Sequence, residues 1–312
     1  MFSSRVTRRI ALASSVLAAA VLGACSSSDS ASTTNLTVTP ALGAVYGGEV
    51  NVYNAAGGLL GTGTTSTTTG SASVVLNGYS AGTPIIVKLS MINGSKYYDE
   101  KSKTVKTVTV ASGATATSLL SFAPSITSGA AVGVTPASHM AAKLAGLSTT
   151  TLTGGATLSA ATILKAVGAA NLILGLPSGT NLLKAPVPAT SDTPPTDTYG
   201  ALLFAVAKVA TVDALSQATA LYDAVPAMAA DGSVSITDNT KYATIVAANN
   251  AMVAAKPTLT SSIPATVSAG SPLTLTASQV TTASTNVSSN ISNTASGSGS
   301  GTGSASGTNQ AF

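Results

Sequence analysis

A chain of 312 residues with 14 basic and 10 acidic side chains carries a formal net charge of +4 at pH 7. All three arginines, Arg5, Arg8 and Arg9, lie in its first ten residues. The remainder sets eleven lysines against those ten acids and offers no guanidinium fork to phosphates or base edges, which argues against nucleic-acid binding. One histidine and one cysteine cannot make the usual zinc ligand sets or an internal disulfide, and with no tryptophan and four phenylalanines any core must be built from small aliphatic residues.

The three arginines are followed by an uncharged run, Ile10 to Leu22, and then by Gly23-Ala24-Cys25. A positive start, a short apolar stretch and small residues at a cleavage point describe a secretory signal peptide over residues 1–24. Thirteen positions fall short of the roughly 20 that a helix needs to span a bilayer core. Leu22-Gly23-Ala24-Cys25 resembles the lipobox of bacterial lipoproteins. That resemblance implies cleavage between Ala24 and Cys25 and attachment of diacylglycerol to the Cys25 thiol, with membrane lipid as the first partner. Each buried methylene contributes about 0.8 kcal/mol and two or more chains hold stably, so the mature protein is expected to stay on the membrane. Ser26, where the family uses Asp for inner-membrane retention, implies passage to the outer membrane. Arg8-Arg9 fits the twin-arginine export pattern only loosely, and the general secretory route is the expectation.

Residues 25–35, "CSSSDSASTTN", read as a polar tether. From 36 to 123 the pattern is that of short strands broken by Gly and Asn, which predicts a β-sandwich. In "GEVNVYN" Val50 and Val52 share a face; in "PIIVKLSMI" so do Ile85, Val87, Leu89 and Met91. Val105 has the opposite parity to Val108 and Val110, which predicts a bulge or register change. Gly57-Gly58 marks a hairpin turn, and Thr69-Gly70 a second turn. "GEVNVYNAAGGLLGTGTTSTTTGSASVVL" resembles the carboxypeptidase-regulatory-like (transthyretin-like) sandwich domains of exported bacterial proteins, with Asn54 where Asp is usual.

Periodicity changes at "VTPASHMAAKLAGL", where Thr135 and Pro136 predict a helix start, and helices follow over 134–256. Met140, Leu144 and Leu147 form one apolar stripe. Ile163, Val167 and Leu174 form another, capped by Ser159 and ended by Gly175 and Pro177. "YGALLFAVAKVA" and "TVDALSQATALYDA" predict two more helices, and Asp231-Gly232 a turn. In the last helix Tyr242, Ile245, Val246, Met252 and Val253 share a face that Asn249 interrupts. Alanine-rich helices with short connections predict a bundle. The junction "YYDEKSKTVKTVTV…LLSF…VTPASHMAAKLA" resembles that of small exported lipoproteins in which a sandwich runs into a helical region, with Ser138 and His139 replacing the usual Thr and Glu. Residues 257–312, rich in Ser, Thr and Gly, predict a low-complexity tail without order. The terminal Phe312 resembles that of outer-membrane barrels, but no alternating strand precedes it.

The fold expected is therefore α+β: an Ig-like or transthyretin-like sandwich and then a helical bundle, between a tether and a tail. No enzyme signature emerges. His139 lacks a "GxSxG" elbow and reads as a packing or surface residue, the acids avoid calcium-loop spacing, and Asp99-Glu100 among Lys96, Lys101 and Lys103 reads as a solvated charged turn. The function expected is a non-enzymatic envelope lipoprotein without cofactor, binding an unidentified protein or envelope ligand. The alternatives are an adhesin-like surface subunit with a glycosylated tail and a hydrolase whose residues meet only on folding.

Overall fold

The computed structural model describes residues 33–150, 152, 158–177, 179–255 and 273–295. Ten strands come first: β1 Thr34–Pro40, β2 Val45–Tyr46, β3 Glu49–Asn54, β4 Leu59–Thr64, β5 Ala72–Leu76, β6 Ile85–Met91, β7 Lys96–Asp99, β8 Thr104–Thr107, β9 Thr117–Ala123 and β10 Ala130–Val134. They form an antiparallel sheet in the order β4-β3-β6-β9, a sheet β10-β1-β5 in which β10 runs parallel to β1, and an antiparallel sheet β2-β7-β8. The tether expected to run to residue 35 thus ends within β1, and β10 continues the strands past residue 123.

Alternation in β6 explains the layering, because successive side chains of a strand point to opposite faces. Ile85, Val87, Leu89 and Met91 share a buried cluster with Leu36 and Val38 of β1 and Val74 and Leu76 of β5. Ile86 points the other way and pairs across the ladder with Phe122, which with Leu120 joins the cluster built by the helices. The β6–β9 half of the four-stranded sheet is therefore buried on both faces, whereas β4 leaves Leu59, Thr62 and Thr64 exposed. Asn54 shapes the β3–β4 hairpin: its Oδ1 accepts from the N–H groups of Ala56 (3.0 Å) and Gly58 (2.8 Å), and Gly57 supplies the positive φ of 82°. The irregularity predicted near Val105 is a bulge on the facing strand: Gly94, at φ 88°, donates its N–H to Val108 O at 2.9 Å while Ser95 O accepts from Val108 N at 2.7 Å, so two residues oppose one. The ladder between β7 and β8 is regular as far as Thr107, after which Val108 turns inward.

The helices are α1 Pro136–Leu144, α2 Ala160–Leu174, α3 Thr198–Val209 and α4 Ala214–Ala224, then α5 Asn239–Ala255 after a strand β11 Val234–Ile236. Ser159 caps α2, and Gly175 ends it in the left-handed conformation. The predicted stripes are buried, although Val246 and Val253 are only half-buried. Asn249, which breaks the α5 stripe, is buried because its Nδ2 donates to the C-terminal carbonyl of α2, Leu174 O, at 2.6 Å.

The expectation that order fades after Lys256 is overturned for residues 273–295. Strand β12, Leu273–Leu275, pairs with β11, and α6, Ala277–Ala295, packs on α2. Composition misled because Ser, Thr and Asn lower helix propensity by only a few tenths of a kcal/mol each, and tertiary burial of Val280, Ala283 and Val287 offsets that. The two helices approach closely at Gly168, where a Cβ would stand 2.8 Å from Ser284 N and 3.0 Å from Ala283 C. Gly168→Val is expected to undock α6, with hydrogen exchange across Ala277–Ala295 rising at least tenfold. Unchanged exchange would show that close approach is not what holds this helix.

Candidate functional site

The N-terminus of α1 carries the single histidine. Thr135 Oγ1 accepts from Ser138 N (3.0 Å) and Ser138 Oγ accepts from Thr135 N (2.9 Å), a capping box that starts the helix and leaves His139 one turn in. His139 is 2% exposed, so its reading as a packing residue holds and the surface alternative does not. Its Nδ1 accepts the N–H of Leu120, a donor on β9 at the end of the four-stranded sheet, at 3.0 Å. That contact places the ring proton on Nε2. The ring stacks on Tyr222 of α4 with centroids 4.1 Å apart, and Lys143 Nζ sits 4.9 Å from the same tyrosine ring. Burial, helped by the Lys143 charge, pushes the imidazole pKa down to about 3, so it is neutral at physiological pH. An unpaired edge donor is a liability for a sheet, and the imidazole covers it.

The second group gathers where β7 meets α4, and here the sequence reading needs correction. Asp99 and Glu100 do not form a solvated turn; they are 0% and 3% exposed. Asp99 Oδ1 accepts from Ala214 N, the first residue of α4, at 2.9 Å. Its Oδ2 accepts from Ser102 Oγ (2.6 Å) and Ser102 N (3.2 Å) and lies 3.0 Å from Lys106 Nζ. Burial pulls this carboxyl upward, but the bonds from Ser102, Ala214 and Lys106 overcome it and hold the pKa below its ordinary value. Asp213 caps the same helix through Leu215 N and Ser216 N and accepts from Tyr97 OH at 2.9 Å. Two carboxylates at a helix N-terminus complement its partial positive charge. A buried charge is tolerated where its oxygens find donors, as both oxygens of Asp99 do.

Glu100 differs. Oε2 has no partner, and the carboxyl lines a small cavity of ≈ 20 Å³, room for about one water, beneath α1, α3 and α4. Gln217 is the other polar side chain there; Ala41, Leu42, Val206 and Met252 are among the apolar ones. Burial pushes the Glu100 pKa up to about 7, with the Asp99 charge adding and the Gly43 N–H opposing. Outside, Asp192 bridges Lys103 (2.7 Å) and Lys208 (2.9 Å) on the surface, an exposed triad that contributes little to stability.

Ala24 and Cys25, the predicted cleavage and lipidation residues, lie outside the described residues. Among the described residues no three His, Cys, Asp or Glu side chains converge as metal ligands, and no single helix is long and apolar enough to cross a membrane. His139 and Glu100 serve separate places and are not brought together in one site. Sequence reasoning missed Glu100, Gln217 and the Tyr97–Asp213 contact; the signal it had was "YYDE", two acids directly after two aromatics on a short strand. Compared with protein-family models, with curated proteins and with solved structures, the chain finds no match in any of the three.

Proposed function

We propose that this chain is a non-enzymatic cell-envelope lipoprotein, exported, cut before Cys25 and held by acyl chains on that thiol at the outer membrane. The observation that carries the reading is Leu22-Gly23-Ala24-Cys25 behind an apolar run and three arginines, followed at once by Ser26-Ser27-Ser28. The strand region is an Ig-like or transthyretin-like sandwich in this reading, supported by the shared core of the sheets β10-β1-β5 and β4-β3-β6-β9. The helices form its companion bundle. A binding or structural role is supported by what the polar groups do: His139, Asp99 and Asp213 each tie a strand or helix end to its neighbour. Their hydrogen-bonding capacity serves the scaffold, and recognition of an envelope or protein ligand falls to the surface.

The test is mass spectrometry of the N-terminus of protein from membranes, beside a Cys25→Ser variant. An acylated Cys25 in the first and loss of membrane association in the second are expected, with the detergent-phase fraction falling at least tenfold. A bare thiol, or residues 1–24 still attached, overturns the lipoprotein reading. Cross-linking on intact cells addresses the ligand, and a single enriched envelope component is the expected result.

A further inference from the structure

Glu100 is the one group among those described above that is buried, ionisable and left with an oxygen unpartnered beside a cavity. It stands just past β7, where the loop after β1 meets α1, α3, α4 and α5. The segment Ala41–Leu42 covers it from the strand side, Ala137 from α1, Val206 and Ala207 from α3, Gln217 from α4 and Met252 from α5. The charged and titratable groups acting on it are on its own hairpin. Asp99 repels its ionised form, and Tyr97 and Tyr98 feel its charge in turn. From the other elements only the Gly43 N–H assists, because none of the side chains they contribute to the cavity wall is titratable. On those helices His139 is bonded to Leu120, Lys208 to Asp192 and Tyr199 to Thr135, Asp213 at the cap of α4 is bonded to Tyr97, and Tyr242 of α5 is not among the residues of the cavity wall.

We propose that Glu100 is a proton-operated latch: the neutral carboxylic acid lets α3 and α4 close over the strand region, and its ionisation admits water and loosens that closure at the α3–α4 corner. A carboxylate in this place has an unsatisfied oxygen, apolar walls and the Asp99 charge beside it, so it can reach water only if the wall moves. The moving part is the corner, because α3 and α4 supply about half the cavity wall and their connection is uncovered, with Val209 61% and Val212 39% exposed. The neutral form needs no movement, since a cavity of ≈ 20 Å³ holds the water that one O–H would meet.

The experiment is hydrogen exchange of the whole folded chain at pH 6 and pH 8, corrected for intrinsic chemistry, with residues 203–221 as the reporter and α2 as the internal control. A group that titrates near pH 7 when closed and near 4.5 when open favours the open form about tenfold more at pH 8 than at pH 6. Protection of 203–221 is therefore expected to fall about tenfold in the natural sequence and to stay flat in Glu100→Gln, which keeps the shape of the neutral acid. Equal pH dependence in both, or none in either, overturns the latch. A carboxyl-carbon NMR titration of the unaltered protein stands apart from the fate of the variant: a Glu100 midpoint near 7 supports the proposal, and one near 4.5 overturns it.

Discussion

Relative to a His139→Asn variant, the protein is expected to lose roughly 3–6 kcal/mol of stability as the pH falls from about 6.5 to about 3. The folded imidazole has a pKa of about 3 against 6.5 for the free group, so between those values the unfolded chain binds a proton that the folded one refuses. The stabilisation is present in full above the unfolded value and lost as the pH drops through the folded one. Asn suits the test because its Oδ1 falls close to where the ring Nδ1 stands and can still accept the Leu120 N–H, without titrating. The variant starts lower, by about 1–3 kcal/mol for the lost stacking on Tyr222 and the space left behind. Its curve should then be flatter on the acid side. Urea unfolding at half-unit pH steps reads the difference, and parallel curves for the two proteins would refute the assignment.

Glu100 acts with the opposite sign. Its folded pKa of about 7 lies above its ordinary 4.5, so its contribution is complete below 4.5 and lost as the pH rises through 7. Between 4.5 and 6.5 the two groups nearly cancel, which predicts a plateau of stability there. Asp99 and Asp213, both held below their ordinary values, steepen the fall on the acid side.

Phe122→Ala is expected to cost about 3–5 kcal/mol and to unfold strands and helices together. The ring is fully buried on the helix-facing side of β9, opposite Ile86, in one cluster with Met140 of α1 and Val167 of α2. Removing it leaves a void shared by two classes of element. Val105→Ala, on an exposed side chain of β8, should shift stability by less than about 0.5 kcal/mol and serves as the control. Circular dichroism for the helices and hydrogen exchange of β6 and β9 for the strand region should report one transition. Two separate transitions, with only the helical one displaced, would mean that the helices fold apart from the sheets.

Much of the local structure was legible because it depends on neighbours in the chain. The Thr135-Pro136 start of α1, the Ser159 and Gly175 ends of α2 and the Gly57 turn follow from backbone preferences that act over four or five residues. The shared face of Ile85, Val87, Leu89 and Met91 follows from the two-residue repeat of a strand. The burial of Asp99 and Glu100 was not legible in the same way. Whether a carboxylate is solvated depends on donors from distant places, and here Ala214 N comes from 115 positions away. The order of α6 was hidden for a related reason, since its Ser- and Thr-rich surface says little about the groove on α2 that Gly168 opens for it.

The amino-acid order by itself determined the alternation of apolar residues, the helix caps, the absence of arginine beyond Arg9 and the lone cysteine after an apolar run. Each is a property of a few adjacent residues. Tertiary structure alone decided that His139 would be dry and neutral, that Glu100 would keep one oxygen without a partner, and that β10 would return beside β1. These outcomes rest on the local dielectric and on donors brought in by remote segments, and both come into being only when the layers close.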